Sequence, residues 1–288
     1  MPLAFRERLR KGPPLVLDAA LGTELLRRGA AVPEPLWSAQ ALVDPPDLVE
    51  AIHRENAEAG SDVLTIASFR LHRRNLKESS CSLSQQELIA KAVEAARRAA
   101  SPAIWIAGSL APLEDCYRPD RVPKQNDLLL SEHQEMAAAL AEAGVDLILV
   151  ETMNTVREAV AAARAAGATG LPVVVSAVTD GRGALLSGER VEDFARALLS
   201  LERPPDALAV NCVAARALGG DLARLAAAAP SVPLAAYGNV FSEPVAPRDY
   251  ARLALSWVAL GARLVGGCCG TSAAHTEAVA LALKGSNP

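Results

Sequence analysis

Three cysteines lie where their thiolates could share one metal ion. Cys212 ends one apolar run, ALAVNC, and Cys268 and Cys269 end another, RLVGGCC. Neighbouring thiolates repel one another unless a cation holds them, and zinc favours thiolate ligands in a four-coordinate site. Three protein ligands leave one position open, as in catalytic rather than structural zinc sites. The cysteines therefore predict a catalytic zinc ion.

A cysteine taken singly is more often a small packing residue than a metal ligand. Two of these three are adjacent and flanked by glycines, in GGCCG. Glycine lets the backbone leave simple strand alternation, so that both side chains can reach one ion. The remaining cysteines, Cys81 and Cys116, have no such companions and are predicted to be packing residues. The odd total of five argues against a disulfide framework.

The predicted ligand set favours one kind of chemistry. Zinc held by three thiolates carries a net negative charge, which makes it weak at activating water but suited to an incoming fourth thiol. Zinc lowers the pKa of that thiol and holds it as the nucleophilic thiolate. We therefore expect S-alkylation of that thiol by in-line displacement at a soft electrophile such as a methyl carbon, driven by positioning and thiol activation, with no separate general base.

Polar residues that could bind an amino acid end other apolar runs. Asp18 and Glu151 can pair with an ammonium group, although a carboxylate in such a place can equally cap the next helix. Backbone amides from Ala19 onward can receive a carboxylate at a helix start. Asn211, and Ser68 if it does not merely satisfy a local backbone group, are the remaining candidates for contact with a substrate.

The segments that must position these residues are short apolar runs that alternate with Ala/Leu-rich stretches of helical spacing. The eight predicted strands are Leu15–Asp18, Asp62–Ser68, Ile104–Ser109, Asp146–Thr152, Pro172–Val178, Ala207–Cys212, Pro233–Asn239 and Arg263–Cys269. The predicted helices include Gln85–Ala100, Glu132–Ala143, Thr155–Ala166, Val191–Leu201, Pro247–Leu260 and Ser272–Leu283. Uninterrupted apolar strands of this kind indicate a parallel sheet covered by helices.

Eight such units that close on themselves predict an α/β fold, a single (β/α)8 or TIM barrel, which we assign to residues 1–288 as one domain. An open doubly wound sheet is the alternative. Functional residues of such a barrel collect at the C-terminal ends of its strands. Asp18, Glu151 and Cys212 all fall there, whereas the opposite rim is mostly Gly, Pro and Ala. The candidate residues are therefore expected to meet at one mouth.

Composition argues against several classes of partner. The net charge is −4, from 29 basic and 33 acidic residues. The sequence has no basic stripe of the kind that would indicate a nucleic-acid partner. No apolar run approaches the roughly 20 residues that a membrane span requires, and the first residues lack the apolar stretch of a signal peptide, so we expect a cytoplasmic protein. The basic run RLHRR, Arg70–Arg74, is predicted to be a solvated helix start. An oligomer remains possible.

These motifs resemble the homocysteine S-methyltransferase family. The resemblance runs from LDAALGTELLRRG through AGVDLILVETM and AVNC to GARLVGGCCGT, nearly the whole chain, and the paired cysteines are its most specific part. It implies a homocysteine-binding barrel that produces methionine. It also implies zinc on Cys212, Cys268 and Cys269, and contact of Asp18 and Glu151 with the homocysteine amino group.

The chain departs from the family pattern in places that bear on the methyl donor. Ala19 stands where glycine is common, and PLEDCYRPD, after the third strand, is unlike the Gly/Tyr-rich version of the S-methylmethionine branch. With no segment that would form a cobalamin or folate domain, we expect a small sulfonium or ammonium donor, such as an S-methylmethionine-like compound.

Two alternatives to this function stay open. Another small thiol or a selenol could be the acceptor in place of homocysteine. A protein of a different class, a non-catalytic barrel that stores or senses zinc, would need the cysteines alone. The carboxylates on the same rim favour the enzyme, because zinc storage requires no reader of an amino acid.

Overall fold

Eight parallel strands form one sheet in the order β1-β8-β7-β6-β5-β4-β3-β2. The computed structural model describes residues 2–44, 46–241 and 243–285. A bridge between Leu17 and Val63 joins the two ends of the strand order, so the sheet closes into a nearly complete barrel. The strands are β1 (Leu15–Val16), β2 (Val63–Thr65), β3 (Trp105–Leu110), β4 (Leu147–Met153), β5 (Val173–Ala177), β6 (Ala207–Ala214), β7 (Leu234–Asn239) and β8 (Ala262–Gly267).

Helices follow the strands and surround the barrel, which confirms the predicted (β/α)8 architecture. They are α1 (Pro2–Arg10), α2 (Leu21–Arg27), α3 (Pro46–Glu58), α4 (Arg73–Glu78), α5 (Gln85–Ala99), α6 (Asn126–Glu142), α7 (Val156–Ala168), α8 (Val191–Leu199), α9 (Ala215–Ala228), α10 (Pro247–Ala259) and α11 (Ala273–Gly285). Closure of the sheet excludes the open doubly wound alternative. The predicted domain of residues 1–288 includes residues 1, 45, 242 and 286–288, which lie outside the described residues.

The helices form because their apolar residues recur at helical spacing and their ends carry stop and start signals. Ser84 begins α5 with a capping box, in which its side chain accepts from the Glu87 amide and the Glu87 side chain accepts from the Ser84 amide. Gly144 and Gly261, at φ values of 84° and 103°, follow α6 and α10 in the left-handed conformation that ends a helix. After each of these helices the chain turns at the N-terminal end of the barrel, where the next strand starts.

The first helix closes the N-terminal end of the barrel. Phe5 and Leu9 of α1 are buried with the inward-facing side chains of the strands, among them Leu15, Leu147 and Leu264. The Phe5 ring packs edge-to-face on Trp105 at a centroid distance of 5.6 Å. Since this end is filled by apolar side chains, a cavity of the barrel has to open at the C-terminal end of the strands.

The strands and helices differ from their predicted bounds mainly on the functional side. Helix α6 begins at Asn126 rather than Glu132, and α4 begins at Arg73, inside the basic run predicted to be a helix start. Strand β8 ends at Gly267, so both paired cysteines lie just beyond it rather than at its last positions. Among the described residues, no helix combines the length and apolarity that crossing a membrane requires.

Candidate active site

A cavity of about 370 Å³ opens at the C-terminal end of the barrel. Its wall is made by the ends of several strands together with the loops that follow β1, β2 and β3. Six of the eight residues predicted to bind metal or substrate line it: Asp18, Ala19, Glu151, Cys212, Cys268 and Cys269. The other two, Ser68 and Asn211, are fully buried and do not reach the wall.

The three cysteines of the predicted metal site converge at the floor of this cavity. Their sulfur atoms all lie within 4.8 Å of one another, and the Cys212 and Cys269 sulfurs are 3.6 Å apart. A tetrahedral zinc ion with Zn–S bonds of about 2.3 Å would hold its sulfurs about 3.8 Å apart. Hydrogen bonds from the Cys268 and Cys269 thiols lower the pKa of Cys212 well below its ordinary value. The donor set and its spacing fit a thiophilic metal ion.

The backbone at Cys212 is in an uncommon conformation that brings its sulfur to the others. Cys212 has φ 52°, and β6 changes register between Asn211 and Ala214. Strand β4 does the same next to Glu151, where Thr152 has φ 63°. Left-handed residues other than glycine cost roughly 1–3 kcal/mol each, and they persist where the surroundings hold them.

The Cys212 carbonyl accepts from Asn239 Nδ2 at 2.8 Å. Asn211 holds the other position. Its Oδ1 accepts from the Thr152 amide at 3.0 Å and from Ser176 Oγ at 2.5 Å, and its Nδ2 donates to Thr152 Oγ1 at 3.0 Å. One amide side chain thus links β4, β5 and β6 behind the cavity. Asn211 therefore positions the strand ends that carry Glu151 and Cys212, and its own side chain is turned away from the ligand space.

The paired cysteines lie in a tight turn that only glycine permits. Gly270 has φ 84°, and its amide donates to Thr23 Oγ1 at 2.9 Å. At Gly266 a β-carbon would lie 2.5 Å from the Leu17 β-carbon and 2.6 Å from the Leu17 carbonyl oxygen. The turn is tied to β7 by the hydrogen bond from the Cys268 amide to the Gly238 carbonyl, 3.0 Å. These contacts aim two consecutive side chains into the cavity.

The two predicted carboxylates are buried and share the wall. Asp18 accepts from the Thr65 amide at 2.8 Å and from Thr65 Oγ1 at 2.9 Å, and Glu151 accepts from Ser109 Oγ. Burial raises the pKa of Asp18 to about 8, with a further contribution from the charge of Glu151, and burial raises the pKa of Glu151 to about 7. Two carboxylates whose charged forms are disfavoured in this way are suited to a cationic ligand.

Ala19 and Ser68 have other partners than the predicted ones. The Ala19 amide, expected to receive a substrate carboxylate, donates to Asn56 Oδ1 at 3.0 Å. Ser68 Oγ donates to the Ser109 carbonyl at 2.9 Å and accepts from the Ser109 amide at 3.0 Å. Ser68 therefore satisfies local backbone groups, which is the alternative that the sequence left open. It supports Ser109, whose side chain binds Glu151.

Loops supply further wall residues that the sequence did not single out. Tyr117, in the loop after β3, places its hydroxyl 3.1 Å from the Cys212 sulfur, and Trp37 lines the wall with φ 52°. Cys116 also lines the cavity but lies outside the group of three converging sulfurs, and burial raises the pKa of its thiol. Loop residues carry no periodic signal, so only the fold could place them here.

Comparison with known proteins gives one consistent result. A family model described as homocysteine S-methyltransferase matches residues 15–283. The homocysteine S-methyltransferase of Escherichia coli is 30% identical over 96% of this chain and 97% of its own length. A selenocysteine Se-methyltransferase of Brassica oleracea is 27% identical over 96% and 91%. The crystal structure of the homocysteine methyltransferase MmuM from Escherichia coli, metallated form, matches with a TM-score of 0.83 at 28% identity, covering 98% and 99% of the chains.

The buried carboxyl of Asp18 makes stability depend on pH. Its folded-state pKa of about 8 lies above the ordinary 3.8, so the folded state keeps a proton that the unfolded state loses. The free energy of unfolding should therefore fall as pH rises from about 4 to about 8, by up to about 1.4 kcal/mol per pH unit. Urea unfolding of the metal-free protein between pH 5 and pH 9 should show this fall in the wild type and a flatter curve in Asp18→Asn.

The matched control is Asp44→Asn, which removes an exposed carboxyl. It should leave the wild-type pH dependence in place. Parallel curves for the wild type and Asp18→Asn would show that the Asp18 carboxyl is ionised in the folded protein at neutral pH.

Proposed function

The chain belongs to the homocysteine S-methyltransferase family, and we propose that it methylates the thiol of homocysteine with a zinc ion bound by Cys212, Cys268 and Cys269. The product is methionine, and the donor is a small sulfonium or ammonium compound. Residues 1–288 then act as one homocysteine-binding barrel domain. The observation that carries the proposal is the convergence of three sulfurs within 4.8 Å beside two buried carboxylates in one cavity.

Zinc is the metal that this donor set favours. The site offers three sulfur atoms and leaves room for a fourth ligand from the cavity, an arrangement typical of catalytic zinc. A related crystal structure of 28% identity is of a metallated form. When bound, zinc would supply the positive charge that lowers the pKa of the homocysteine thiol, so that the thiolate is the reacting form at neutral pH.

Asp18 and Glu151 are proposed to bind the ammonium group of homocysteine. Their burial makes both pKa values high, and an adjacent ammonium would restore the charged forms. Thr65 and Ser109 donate hydrogen bonds to these carboxylates and so fix the orientation of the two carboxyl groups. The lone pairs that they leave free can accept hydrogen bonds from the ammonium group. With its amino end held there, homocysteine is positioned with its thiol toward the cysteines, and positioning of this kind supplies much of the rate.

The reaction needs no protein group that removes a proton in the transfer step. The thiol proton leaves to solvent when homocysteine binds, the new S–C bond forms from the thiolate, and the breaking C–S or C–N bond returns its electron pair to the donor. The donor leaves as a neutral thioether or amine. Ser68 and Asn211, which do not reach the cavity, are proposed to act by holding Ser109, Thr152 and Cys212 in place.

A selenol acceptor is the second candidate. It is favoured by the 27% identity to a selenocysteine Se-methyltransferase over 96% of this chain. A selenolate would use the same cation and the same ammonium site, with a side chain one carbon shorter. Competition between the two acceptors therefore tests which side-chain length fits the distance between the ammonium site and the three cysteines.

The test of function is product formation by the zinc-loaded protein. Methionine should form from homocysteine with at least one of S-methylmethionine, S-adenosylmethionine and glycine betaine, and chelation of zinc should abolish it. Selenocysteine is supplied in parallel. If selenocysteine is methylated and homocysteine is not, the acceptor assignment is wrong. If neither is methylated although zinc is bound, the barrel is a zinc-binding protein of another class.

Each of the three cysteines should be needed for the metal. Cys212→Ser, Cys268→Ser and Cys269→Ser should each bind less than the expected one zinc per chain and lose methyl transfer, because serine is a poor zinc ligand. Bound zinc is measured by mass spectrometry of metals after dialysis. Cys81→Ser is the control, since Cys81 is not among the converging sulfurs. Full zinc content in all three variants would refute the ligand assignment.

Glu151→Gln should weaken homocysteine binding without releasing zinc. A charge-assisted hydrogen bond contributes roughly 1.5–3 kcal/mol, so the KM for homocysteine should rise about tenfold to a hundredfold. Glu142→Gln, at an exposed position at the end of α6, makes the same chemical change outside the cavity. Unchanged KM values in both Glu151→Gln and Asp18→Asn would place the amino group elsewhere.

A further inference from the structure

One basic side chain lines the cavity within the part of the chain that the structure describes. Arg70 lies in the loop between β2 and α4, and its side chain is 13% exposed. The rest of the basic run RLHRR is a helix start, as predicted, but it is not solvated throughout, because His72 is buried and the Arg74 side chain is only 22% exposed. Arg73 and Arg74 begin α4 and pair with Glu135 and with Glu132 on α6. Arg70 alone is turned away from this helix face and toward the cavity.

The Arg70 guanidinium has little to hold it in the protein itself. Among the described residues it forms one ion pair, with Glu34, at 3.7 Å. This distance is too long for a hydrogen bond, and the Glu34 side chain is 63% exposed. A guanidinium carries five donors in a planar fork that matches a carboxylate. Arg70 lines the cavity, and among the described residues no hydrogen bond of its guanidinium is found, so its donors are available to a ligand.

The remaining charges of the wall make this cation distinctive. Asp18, Glu34, Asp115 and Glu151 line the same cavity, and so do the three converging cysteines. Among the described residues, none of these groups offers a fixed positive charge to a ligand carboxylate. Arg70 is the place where such a carboxylate could be received.

The position of Arg70 indicates that the carboxylate bound there belongs to the methyl donor and not to homocysteine. Arg70 lies in the loop after β2 and pairs with Glu34, whose side chain is 63% exposed, so it belongs to the loop side of the cavity. Asp18 and Glu151 are instead bound at the strand ends, by Thr65 and Ser109. In homocysteine the ammonium and the carboxylate share one carbon atom, so an ammonium at Asp18 and Glu151 keeps its carboxylate beside them.

We propose that Arg70 binds the carboxylate of the methyl donor and thereby selects donors that carry one. This assignment rests on the proposed function, and it adds a specificity residue to it. The guanidinium holds the far end of the donor at the loop side of the cavity, while the onium methyl group points to the homocysteine sulfur. Trp37, Phe69 and Tyr117 also line the cavity, and their aromatic rings are groups that attract an onium cation.

The experiment compares a donor with its own primary amide. The active donor among S-methylmethionine, S-adenosylmethionine and glycine betaine is assayed beside the same molecule with a carboxamide in place of the carboxylate. Arg70→Gln should raise the KM for the carboxylate donor about tenfold to a hundredfold. It should leave the KM for homocysteine and for the amide donor within about twofold of the wild type. Arg70→Lys should recover part of the lost affinity for the carboxylate donor, because lysine keeps the positive charge but lacks the planar guanidinium that binds both carboxylate oxygens.

Two control variants separate this role from a structural one. Arg73→Gln removes the same charge three residues away and should leave every KM within about twofold. Glu34→Gln breaks the ion pair between Glu34 and Arg70 but keeps the guanidinium, so it should not reproduce the rise in donor KM.

Three results would overturn the assignment. Arg70→Gln could raise the KM for homocysteine as much as that for the donor, it could weaken the carboxylate and amide donors equally, or Glu34→Gln could give the same loss as Arg70→Gln. A wild-type enzyme that uses the amide as well as the carboxylate also refutes it. If the wild type forms no methionine with any donor, the proposed function itself fails and this assignment with it.

Discussion

The side chain of Asn211 is the contact on which the site depends most. Parallel strands deliver side chains to alternate faces, so two successive strand-end residues cannot both serve a cavity unless the backbone is distorted. Here β4 and β6 are distorted at Thr152 and Cys212, and the Asn211 amide binds both strands and Ser176 between them. The strand ends that carry Glu151 and Cys212 are thus joined through this one buried amide.

The sequence predicted the barrel and the residues with distinctive chemistry, for physical reasons. Apolar runs alternating with helical segments have few packing solutions, and the C-terminal strand ends of a barrel converge whatever the loops do. Cysteines flanked by glycines are rare enough to mark a site. The direction of Asn211 was beyond such reasoning, because a single left-handed residue resets the alternation of a strand. The direction of Ser68 was beyond it because β2 ends at Thr65 and Ser68 lies in the loop that follows. Tyr117 and Arg70 come from loops, whose paths are set by tertiary contacts.

The two ends of the barrel carry different tasks. At the N-terminal end, Phe5 and Leu9 of α1 fill the interior, and Arg6 on the same helix binds Asp206 at 2.8 Å and the Leu171 carbonyl at 2.8 Å. At the C-terminal end the wall tolerates buried carboxylates with raised pKa values and left-handed residues. The well-packed end supplies the stability against which these costly features of the open end are maintained.

The strand order also fixes when the three converging sulfurs can meet during synthesis. Strand β8 pairs with β1, so the sheet cannot close until β8 has left the ribosome. Cys268 and Cys269 directly follow that last strand, and Cys212 is held two strands earlier. Cys212 therefore has neither of them beside it while the chain is still being extended towards β8. Closure of the sheet and convergence of the three sulfurs are a single event.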